Sequence, residues 1–376
     1  MSAPSVPLPR WIDIGVIPVL NVLMALVVSG LIILVIGENP LAAVRIMLNG
    51  AFGYGEGIGY TFYYATNFVF TGLAVAVAFH AGLFNIGGEG QAYIGGLGAG
   101  LTMLALDSSV PPALLLPFGI LVAGLFGSAW AAIPAYLQAY RGSHVVITTI
   151  MFNFIASALM VYLMVNVLIK PGQMSPESRE FLDAGHLPFM HEMLGWVGIT
   201  VARSPLNASV FWAIACSGFL WIFIWRTRWG YDIRAVGFNE NAAIYGGITP
   251  ARTVMLAMFI SGALAGFVGV NEVMGVHHRL LLNFTAGYGF TGIAVSLMGR
   301  NHPFGIILAS LLFGMLYQGG ADLAFEIPTI TREMVVVIQG LVILFSGALA
   351  YMSTPWITRV YGWFNRSPQV AVTGEV

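Results

Sequence analysis

The sequence predicts an all-α integral membrane protein of about ten transmembrane helices, and its composition and its long apolar runs carry that prediction. Of its 376 residues, 58% are hydrophobic and only 8% are charged. A soluble globular protein carries about 25% charged residues. In hydrocarbon, only helices and closed barrels satisfy the backbone hydrogen bonds, and barrel strands alternate apolar with polar residues. This chain has unbroken apolar runs instead, which indicates helices.

Composition and charge exclude several classes of function. The net charge of −1 offers no basic surface to nucleic acid. The single cysteine, Cys216, allows neither an intrachain disulfide nor a cysteine-based metal cluster. The single lysine, Lys170, precedes Pro171, whereas a Walker A loop needs a lysine followed by serine or threonine. No catalytic triad can be assembled from residue spacing. We therefore expect a protein that is not an enzyme, needs no cofactor and takes its energy from another subunit or an ion gradient.

About ten apolar runs follow one another along the chain, and each is a candidate for one membrane span. The third and eighth runs are short and rich in glycine. The first run is longer than the apolar core of a signal peptide and has no small-residue cleavage site after it, so we expect a retained helix. The runs are Ile14–Gly37, Phe62–Phe79, Ala92–Leu106, Leu114–Tyr140, Val145–Ile169, Val210–Trp225, Val254–Met274, Thr291–Met298, Phe304–Gln318 and Met334–Met352.

Basic residues predict the orientation of these spans. The segment Arg226–Arg252 contains four arginines, so we expect it in the cytoplasm. With ten spans, both chain termini then lie in the cytoplasm as well. The chain divides into an N-terminal segment with the first helix (1–59), a transmembrane core (60–352) and a cytoplasmic tail (353–376). Tryptophans near helix ends are expected at the membrane interfaces, in contact with lipid. They are Trp11, Trp225, Trp229, Trp356 and Trp363.

One stretch of sequence recurs. The residues from Pro117 to Gly127 read PFGILVAGLFG, and those from Pro303 to Gly314 read PFGIILASLLFG, which is one residue longer. In the predicted helix order the two copies cross the bilayer in opposite directions. Inverted repeats of this kind are typical of transporters, whose pathway lies at the repeat interface. Chance similarity between two glycine-rich apolar helices is the alternative.

A glycine-rich polar string, Gly82–Gln91, interrupts the apolar sequence between the second and third runs. Four of its residues are glycine, and Asn85, Glu89 and Gln91 supply polar side chains. Irregular backbone survives at membrane depth only where protein buries it or water lines it. The string therefore predicts a discontinuous helix beside a pathway for a polar solute. The alternative is a cytoplasmic turn in which Glu89 meets water.

An asparagine among aromatic residues lies inside the fifth run. Asn153 follows Phe152, and an amide beside an aromatic ring can hold a sugar or a base. The competing interpretation is a hydrogen bond from Asn153 to a neighbouring helix, which is the more common use of such a residue. Asn271 and Glu272 end the seventh run, with His277 and His278 after them, and we expect an exterior loop or the mouth of the pathway there.

The basic loop contains a short predicted helix. Asn239 is a favourable N-cap, Glu240 suits the first turn, and Gly246 or Gly247 ends the helix. A helix of two turns is unstable alone in water, so we expect it to dock into another protein. The small side chains of Ala242 and Ala243 would allow close approach. The alternative is an interfacial turn lying on the lipid headgroups.

Three strings carry a resemblance to a known family. They are Gly82–Gln91, Arg234–Ile248 and Gly299–Gly305. Together they resemble the membrane permease subunits of bacterial ABC importers, and they are most similar to the branch that handles nucleosides and simple sugars, which is related to the ribose and branched-chain amino acid permeases. The resemblance covers roughly residues 60–350 and includes the family's coupling loop (226–252), which docks on the ATPase.

The resemblance implies a multi-pass importer half in the bacterial cytoplasmic membrane. Its implied partners are a second permease subunit, identical or not, an ATP-binding subunit with two nucleotide-binding domains, and an extracellular binding protein. The predicted contacts with the ATPase are made by Arg234, Gly237, Asn239, Glu240, Ala242, Ala243 and Gly246. The predicted translocation pathway contains Asn85, Glu89, Gln91, Phe152 and Asn153.

Two other functions compete with the importer subunit. The first is an ion-coupled secondary transporter or a channel that acts alone, with Glu89 or Glu272 as a proton or ion relay. A lone transporter needs no docking helix, so the helix near Asn239 argues against it. The second is a membrane-embedded enzyme, for which the sequence supplies neither a paired-carboxylate nor a metal constellation at depth.

Overall fold

The computed structural model of the protein describes Pro9, Ile12, residues 16–345, Ile357 and Thr358. In this part of the chain every regular element is helical, apart from one isolated antiparallel bridge near the middle of the sequence. The predicted all-α class is therefore confirmed. Three predicted interface tryptophans and most of the predicted tail (353–376) lie outside the described residues. Those tryptophans are Trp11, Trp356 and Trp363.

Proline and glycine mark several helix ends as the sequence predicts. Helix α5 starts at Pro112, where the missing amide hydrogen costs nothing, and ends before Gly142 in the left-handed conformation (φ 69°). Helix α1 likewise ends at Gly37 (φ 95°). The helices of the described residues are α1 (Ile17–Ile36), α2 (Pro40–Phe52), α3 (Gly55–His80), α4 (Gly88–Leu106), α5 (Pro112–Arg141), α6 (Val145–Asn166), α7 (Met190–Trp196), α8 (Ser209–Arg226), α9 (Arg228–Phe238), α10 (Glu240–Tyr245), α11 (Pro250–Gly266), α12 (Tyr288–Met298), α13 (Pro303–Glu326) and α14 (Arg332–Ile343).

Seven helical segments of the described chain are long and apolar enough to cross a membrane. They correspond to seven of the predicted runs, and α11 reaches full length through a π-helical continuation, Val270–His277. The third predicted run lies in α4, which begins four residues earlier than the run, at Gly88. The eighth run is α12, which has only 11 residues. The structure thus supports a multi-pass membrane protein.

The chain forms two compact units. One contains residues 1–44 and 327–376, and within its described part α1 packs against α14. The other contains residues 45–326 and includes α3 to α13. In this larger unit α3 packs on α12 and α13, whereas α11 packs on α4 and α5. Helix α3 is buried along most of its length, with Phe68, Phe70 and Leu73 inaccessible.

Glycines allow α5 and α11 to touch backbone to backbone. A Cβ atom added to Gly262 would meet the carbonyl oxygen of Gly127, and one added to Gly127 would lie 3.1 Å from the Cα atom of Gly266. Small residues are expected where membrane helices approach this closely. The contact fixes α11 against α5 and so positions the polar residues of α11 that are described below.

Two interruptions of the helices lie within the larger unit. The first is the segment 81–87 between α3 and α4, in which Gly82 is left-handed (φ 72°). The second is the segment 278–287 before α12, where Asn283, Ala286 and Gly287 have positive φ. Polar groups gather at both interruptions, because backbone amides freed from the helices need partners.

Candidate functional site

Hydrogen bonds hold the first interruption in place. The Asn85 amide donates to Gln91 Oε1 (3.0 Å) and to Ser261 Oγ (2.9 Å), and its oxygen accepts from the Gly87 amide (2.9 Å). Ser261, on α11, in turn donates to the carbonyl oxygen of Ala74 on α3 (2.6 Å). Asn85 and Gln91 are both 1% exposed. The interruption is therefore tied to α3 and α11.

Asn153 fastens the other side of the same interruption. Its oxygen accepts from the Gly90 amide (2.9 Å), and its amide group donates to the carbonyl oxygen of Ile86 (3.0 Å). These are the inter-element hydrogen bonds that the competing interpretation of Asn153 required. Phe152 is half-buried, and its ring meets the Trp130 ring edge-on at 5.4 Å.

Glu89 joins the two interruptions. It lies in the first turn of α4, and its carboxylate accepts hydrogen bonds from Thr285 Oγ1 (2.6 Å), the Gly287 amide (3.0 Å) and the Gly289 amide (2.8 Å). The last two donors lie at the N-terminus of α12, where free amides and the helix dipole favour a negative charge. The side chain is half-buried. Glu89 thus supplies hydrogen-bond acceptors to the free amides at the start of α12.

Glu272 is a fully buried acid on the continuation of α11. Glu272 is 1% exposed. The Tyr63 hydroxyl lies 2.7 and 2.8 Å from its two oxygens and shares one hydrogen between them, and the Asn67 amide donates to Oε1 (2.5 Å). His277 Nε2 lies 3.4 Å from Glu272 Oε2. Asn271 and Glu272 lie in the π-helical continuation of α11, at the end of the seventh run as the sequence predicts, and the exterior loop or pathway mouth expected there stays a prediction. The i, i+4 spacing of Tyr63 and Asn67 was the available signal for the buried contacts of Glu272.

Tyrosine rings cluster on the same side of α3. The Tyr64 ring centroid lies 5.6 Å from that of Tyr317 on α13, 6.5 Å from that of Tyr288 on α12 and 6.3 Å from that of Tyr60. Tyr288 is 5% exposed, whereas the other three tyrosines are half-buried. Tyr317 shares a 3.0 Å hydrogen bond with Thr291. The cluster offers ring faces and hydroxyl groups beside the second interruption.

The predicted short helix is present and is capped as expected. Asn239 Oδ1 accepts from the Ala242 amide (3.0 Å), α10 spans Glu240–Tyr245, and Gly246 follows it. Ala243 is 4% exposed, whereas Ala242 is exposed. With α9 and the start of α11, α10 lines a cavity of about 1170 Å³.

The cavity beside α10 is basic. Arg228, Arg234 and Arg252 line it together with a single acid, Asp232. None of the three arginines forms an ion pair within the described part of the chain, and Arg234 Nε is buried without a hydrogen-bond partner there. The large side chains of Phe238 and Tyr245 beside it are each 94% exposed. Exposed aromatics mixed with arginine are typical of the centre of a protein interface.

Gly237 connects this loop to the first interruption. A Cβ atom on Gly237 would overlap the carbonyl oxygen of His80 and lie 2.7 Å from the Gly82 nitrogen. From the other side, a Cβ atom on Gly82 would lie 3.2 Å from the Gly237 Cα atom. The end of α9 therefore rests directly on the chain that leads into the interruption. The sequence alone does not predict this contact, because the two glycines lie 155 positions apart.

Charged and aromatic contacts order the long polar loop between α6 and α8. Arg179 pairs with both oxygens of Asp107 (2.7 and 2.8 Å) and so holds the pKa of that carboxyl below its usual range. The rings of His186 and His278 stack at 3.8 Å with an angle of 8°. Burial, and next the neighbouring His186, lower the pKa of His278 to about 4.

Protonation of His278 should make this loop sensitive to acid. Unfolded histidine has a pKa of about 6.5, so between pH 6.5 and about 4 the unfolded state binds more protons at His278 than the folded state. Stability should therefore fall as the pH is lowered through this window. We expect limited proteolysis of residues 170–207 to accelerate from pH 7 to pH 5 in the wild type and to change less in His278→Gln. His144→Gln, at an exposed position, is the control, and an unaltered pH response in His278→Gln would contradict the assignment.

Comparisons with known proteins find a matching family and several related permeases. The family described as the branched-chain amino acid transport system permease component matches residues 57–347. The chain is 33% identical to the glucose ABC transporter permease protein TsgB13 of Haloferax volcanii over 91% of its own length and 89% of that protein. It is also 33% identical to the guanosine ABC transporter permease protein NupP of Bacillus subtilis, over 88% of this chain and 92% of that one. No solved structure matches the chain.

Proposed function

The chain belongs to the family of branched-chain amino acid transport system permease components, and from that premise we propose that it imports nucleosides or simple sugars by alternating access. It is a membrane-spanning permease subunit of an ABC importer. The cargo is inferred from relatives whose names specify glucose, guanosine and nucleosides, including the nucleoside ABC transporter permease protein NupB of Lactococcus lactis, which is 31% identical over 88% of this chain.

Alternating access would be carried by two inverted halves. The first half contains α3 to α5 and the second α11 to α13, which include the two copies of the repeated sequence. The first helix of each half packs on the two later helices of the other half: α3 lies on α12 and α13, and α11 lies on α4 and α5. In each half a non-helical segment precedes the middle helix. This reciprocal packing supports an inverted repeat.

The observation that carries the coupling mechanism is the contact of Gly237 with His80 and Gly82. In our proposal, ATP-driven closure of the ATPase pair moves α10 and α9. The end of α9 then pushes on the chain at Gly82, which leads into the polar interruption. Asn85 and Gln91 transmit that displacement to α3 and α11 through Ser261.

The predicted pathway residues would form the polar frame of the route. Their hydrogen bonds hold irregular backbone within a membrane-spanning unit, which is tolerated only where protein buries it or water lines it. In this proposal the amides hold the first interruption open, Glu89 holds α12, and Phe152 supports the outer side of the frame. The frame consists of Asn85, Glu89, Gln91, Phe152 and Asn153.

The arrangement in the membrane follows from the basic loop. We place residues 226–252 in the cytoplasm. We also propose about ten spans, a transmembrane core at 60–352 and, as a consequence of an even number of spans, two cytoplasmic termini. Cysteine labelling of Arg234→Cys in a Cys216→Ala background tests this orientation, because Cys216 is the only native cysteine. Labelling by a membrane-impermeant reagent from the cytoplasmic side is expected, and labelling only from outside would invert the topology.

The assembly would contain two permease subunits, an ATPase with two nucleotide-binding domains and an extracellular binding protein. Reconstitution tests the function directly. Complexes whose ATPase faces the lumen of a proteoliposome should take up solute only when the lumen contains ATP and the loaded binding protein is outside. Uptake by the purified chain alone, driven by an ion gradient, would replace the importer subunit with a secondary transporter.

The basic cavity should meet carboxylates of the ATPase. Its three arginines have no acidic partner in the described chain, and charge complementarity favours an acidic surface opposite them. We expect Arg252→Glu to weaken copurification of the ATPase and Glu240→Arg combined with Arg234→Glu to do the same, while membrane insertion is unchanged. Arg141→Glu, at an exposed helix end outside the cavity, is the matched control. Normal copurification of both cavity variants would remove the docking role.

A further inference from the structure

The start of α12 lies at about mid-membrane depth. Helix α12 has 11 residues and is therefore about 16 Å long, roughly half of a hydrocarbon core of about 30 Å. Its C-terminal end is close to the end of α3, because the carbonyl oxygen of Asn301 lies 3.0 Å from His80 Nε2. His80 in turn lines the basic cavity at the end of the bundle. The start of α12 is thus about half a bilayer away from that end.

Two residues of the irregular segment that leads into α12 are exposed. Asn283 and Ala286 have φ values of 58° and 44° and are both exposed, as is Phe290 just beyond them, at 49%. Irregular backbone facing lipid does not occur in the hydrocarbon region, because its polar groups would lack partners. In the assembled transporter this face must therefore be covered by protein or by water.

A set of half-buried side chains adjoins the segment. We call Tyr60, Tyr64, Tyr317 and Thr291 the tyrosine wall. Tyr64 and Tyr317 both contact the ring of Tyr288, the first residue of α12. Tyrosine is enriched at binding surfaces, because its side chain combines a large apolar ring with a hydroxyl group and loses little conformational entropy on binding.

A buried hydrogen-bond network lies directly behind the tyrosine wall. The ring centroid of Tyr63, which is hydrogen-bonded to Glu272, lies 4.9 Å from the Tyr64 ring centroid. Asn67 is held from both sides, since it donates to Glu272 and accepts from the Asn271 amide at 2.9 Å. The wall itself carries no formal charge at neutral pH. An uncharged surface of rings and hydroxyls matches a neutral solute with a ring and several hydroxyls.

We propose that the tyrosine wall lines the translocation pathway from mid-membrane toward the end of the bundle opposite the basic cavity, and that it contacts the solute there by ring stacking and hydroxyl hydrogen bonds. The solute class is a neutral, hydroxylated ring compound, such as a nucleoside or a monosaccharide. This inference rests on the proposed importer function and extends it, because the wall lies outside the polar frame already described. Weak contact suits a pathway, since a tightly held solute would leave slowly.

Cysteine accessibility in the assembled complex tests the location of the wall. Tyr64→Cys and Tyr317→Cys, each in a Cys216→Ala background, should react with a hydrophilic, membrane-impermeant thiol reagent. Phe154→Cys is the control, because Phe154 is 66% exposed on α6, outside the polar frame, and a lipid-facing cysteine should not react. Cysteines at 64 and 317 that do not react would overturn the proposal. Disulfide cross-linking of these cysteines between two permease subunits would also overturn it, because the wall would then be an interface between subunits.

Uptake measurements test the solute contact. With guanosine and D-glucose as probes, Tyr64→Ala and Tyr317→Ala should lower uptake about tenfold, the scale of losing one stacking contact, while Tyr317→Phe keeps most of it. The ATPase should copurify with all three variants as it does with the wild type, and the loaded binding protein should stimulate ATP hydrolysis by the wild-type complex. Wild-type uptake by the alanine variants would refute the wall alone. Absence of stimulation in the wild-type complex would refute the importer function instead.

Discussion

Replacing Glu89 with alanine should abolish solute uptake and reduce the amount of folded transporter. The substitution removes the acceptor of three hydrogen bonds, from Thr285 Oγ1 and from the Gly287 and Gly289 amides. A buried donor left without a partner costs about 1–3 kcal/mol, and hydrogen bonds to a charged acceptor lie at the upper end of the range. Three such donors at the start of α12 would together cost several kcal/mol, a large fraction of the stability of a typical domain.

Conservative variants separate the possible roles of Glu89. Glu89→Gln keeps the length of the side chain but offers one acceptor oxygen and presents an amide donor to the same groups, so we expect partial folding and little uptake. Glu89→Asp moves the carboxylate back by one methylene group and should weaken all three bonds. Glu56→Ala is the matched control, because Glu56 is an exposed acid in the first turn of α3.

The readout must distinguish an anchor from an ion relay. Yield and thermal unfolding of the purified complex report on the anchoring role, and ATP-driven uptake in proteoliposomes reports on transport. Stable Glu89→Ala protein with wild-type uptake would show that the start of α12 does not need these acceptors. Stable protein whose uptake has become independent of a proton gradient, where the wild type depends on one, would instead favour the relay.

Local features of this fold could be predicted from the sequence. The all-α class follows from composition and apolar runs, and the helix at Glu240–Tyr245 follows from the cap at Asn239 and the glycines after it. Both depend on interactions within a few residues. The glycine-rich string at Gly82–Gln91 also indicates a break by itself, since four glycines in ten residues disfavour a helix.

Long-range pairings could not be predicted. Glu89 finds its donors 196 to 200 residues later in the chain, and Glu272 is bound by residues of α3 more than 200 positions earlier. Hydrophobic periodicity identifies helices in such a chain but not their neighbours, because almost every face is apolar. The same lack of contrast hid the tyrosine wall, whose members come from three separate helices.

The contact of Gly237 with His80 and Gly82 should be needed to transmit the motion of the ATPase to the membrane helices, and not for folding. Replacing Gly237 with alanine places a methyl group against the carbonyl oxygen of His80 and 2.7 Å from the Gly82 nitrogen. Both are backbone atoms, so α9 must move away from the end of α3. We expect the ATPase to remain bound through α10 and to hydrolyse ATP, while ATP-driven uptake falls about tenfold or more, which corresponds to a loss of about 1.4 kcal/mol of coupling free energy.

Gly218→Ala provides the control for this substitution, because Gly218 is exposed on α8 and an added Cβ atom there meets nothing within 4 Å. The ratio of solute transported to ATP hydrolysed is the decisive measurement, since a folding defect lowers both quantities whereas uncoupling lowers only the first. A Gly237→Ala complex with the wild-type ratio would mean that the motion of α10 reaches the interruption by another route. Because α11 also begins beside α10 and carries Ser261, that route would run through α11.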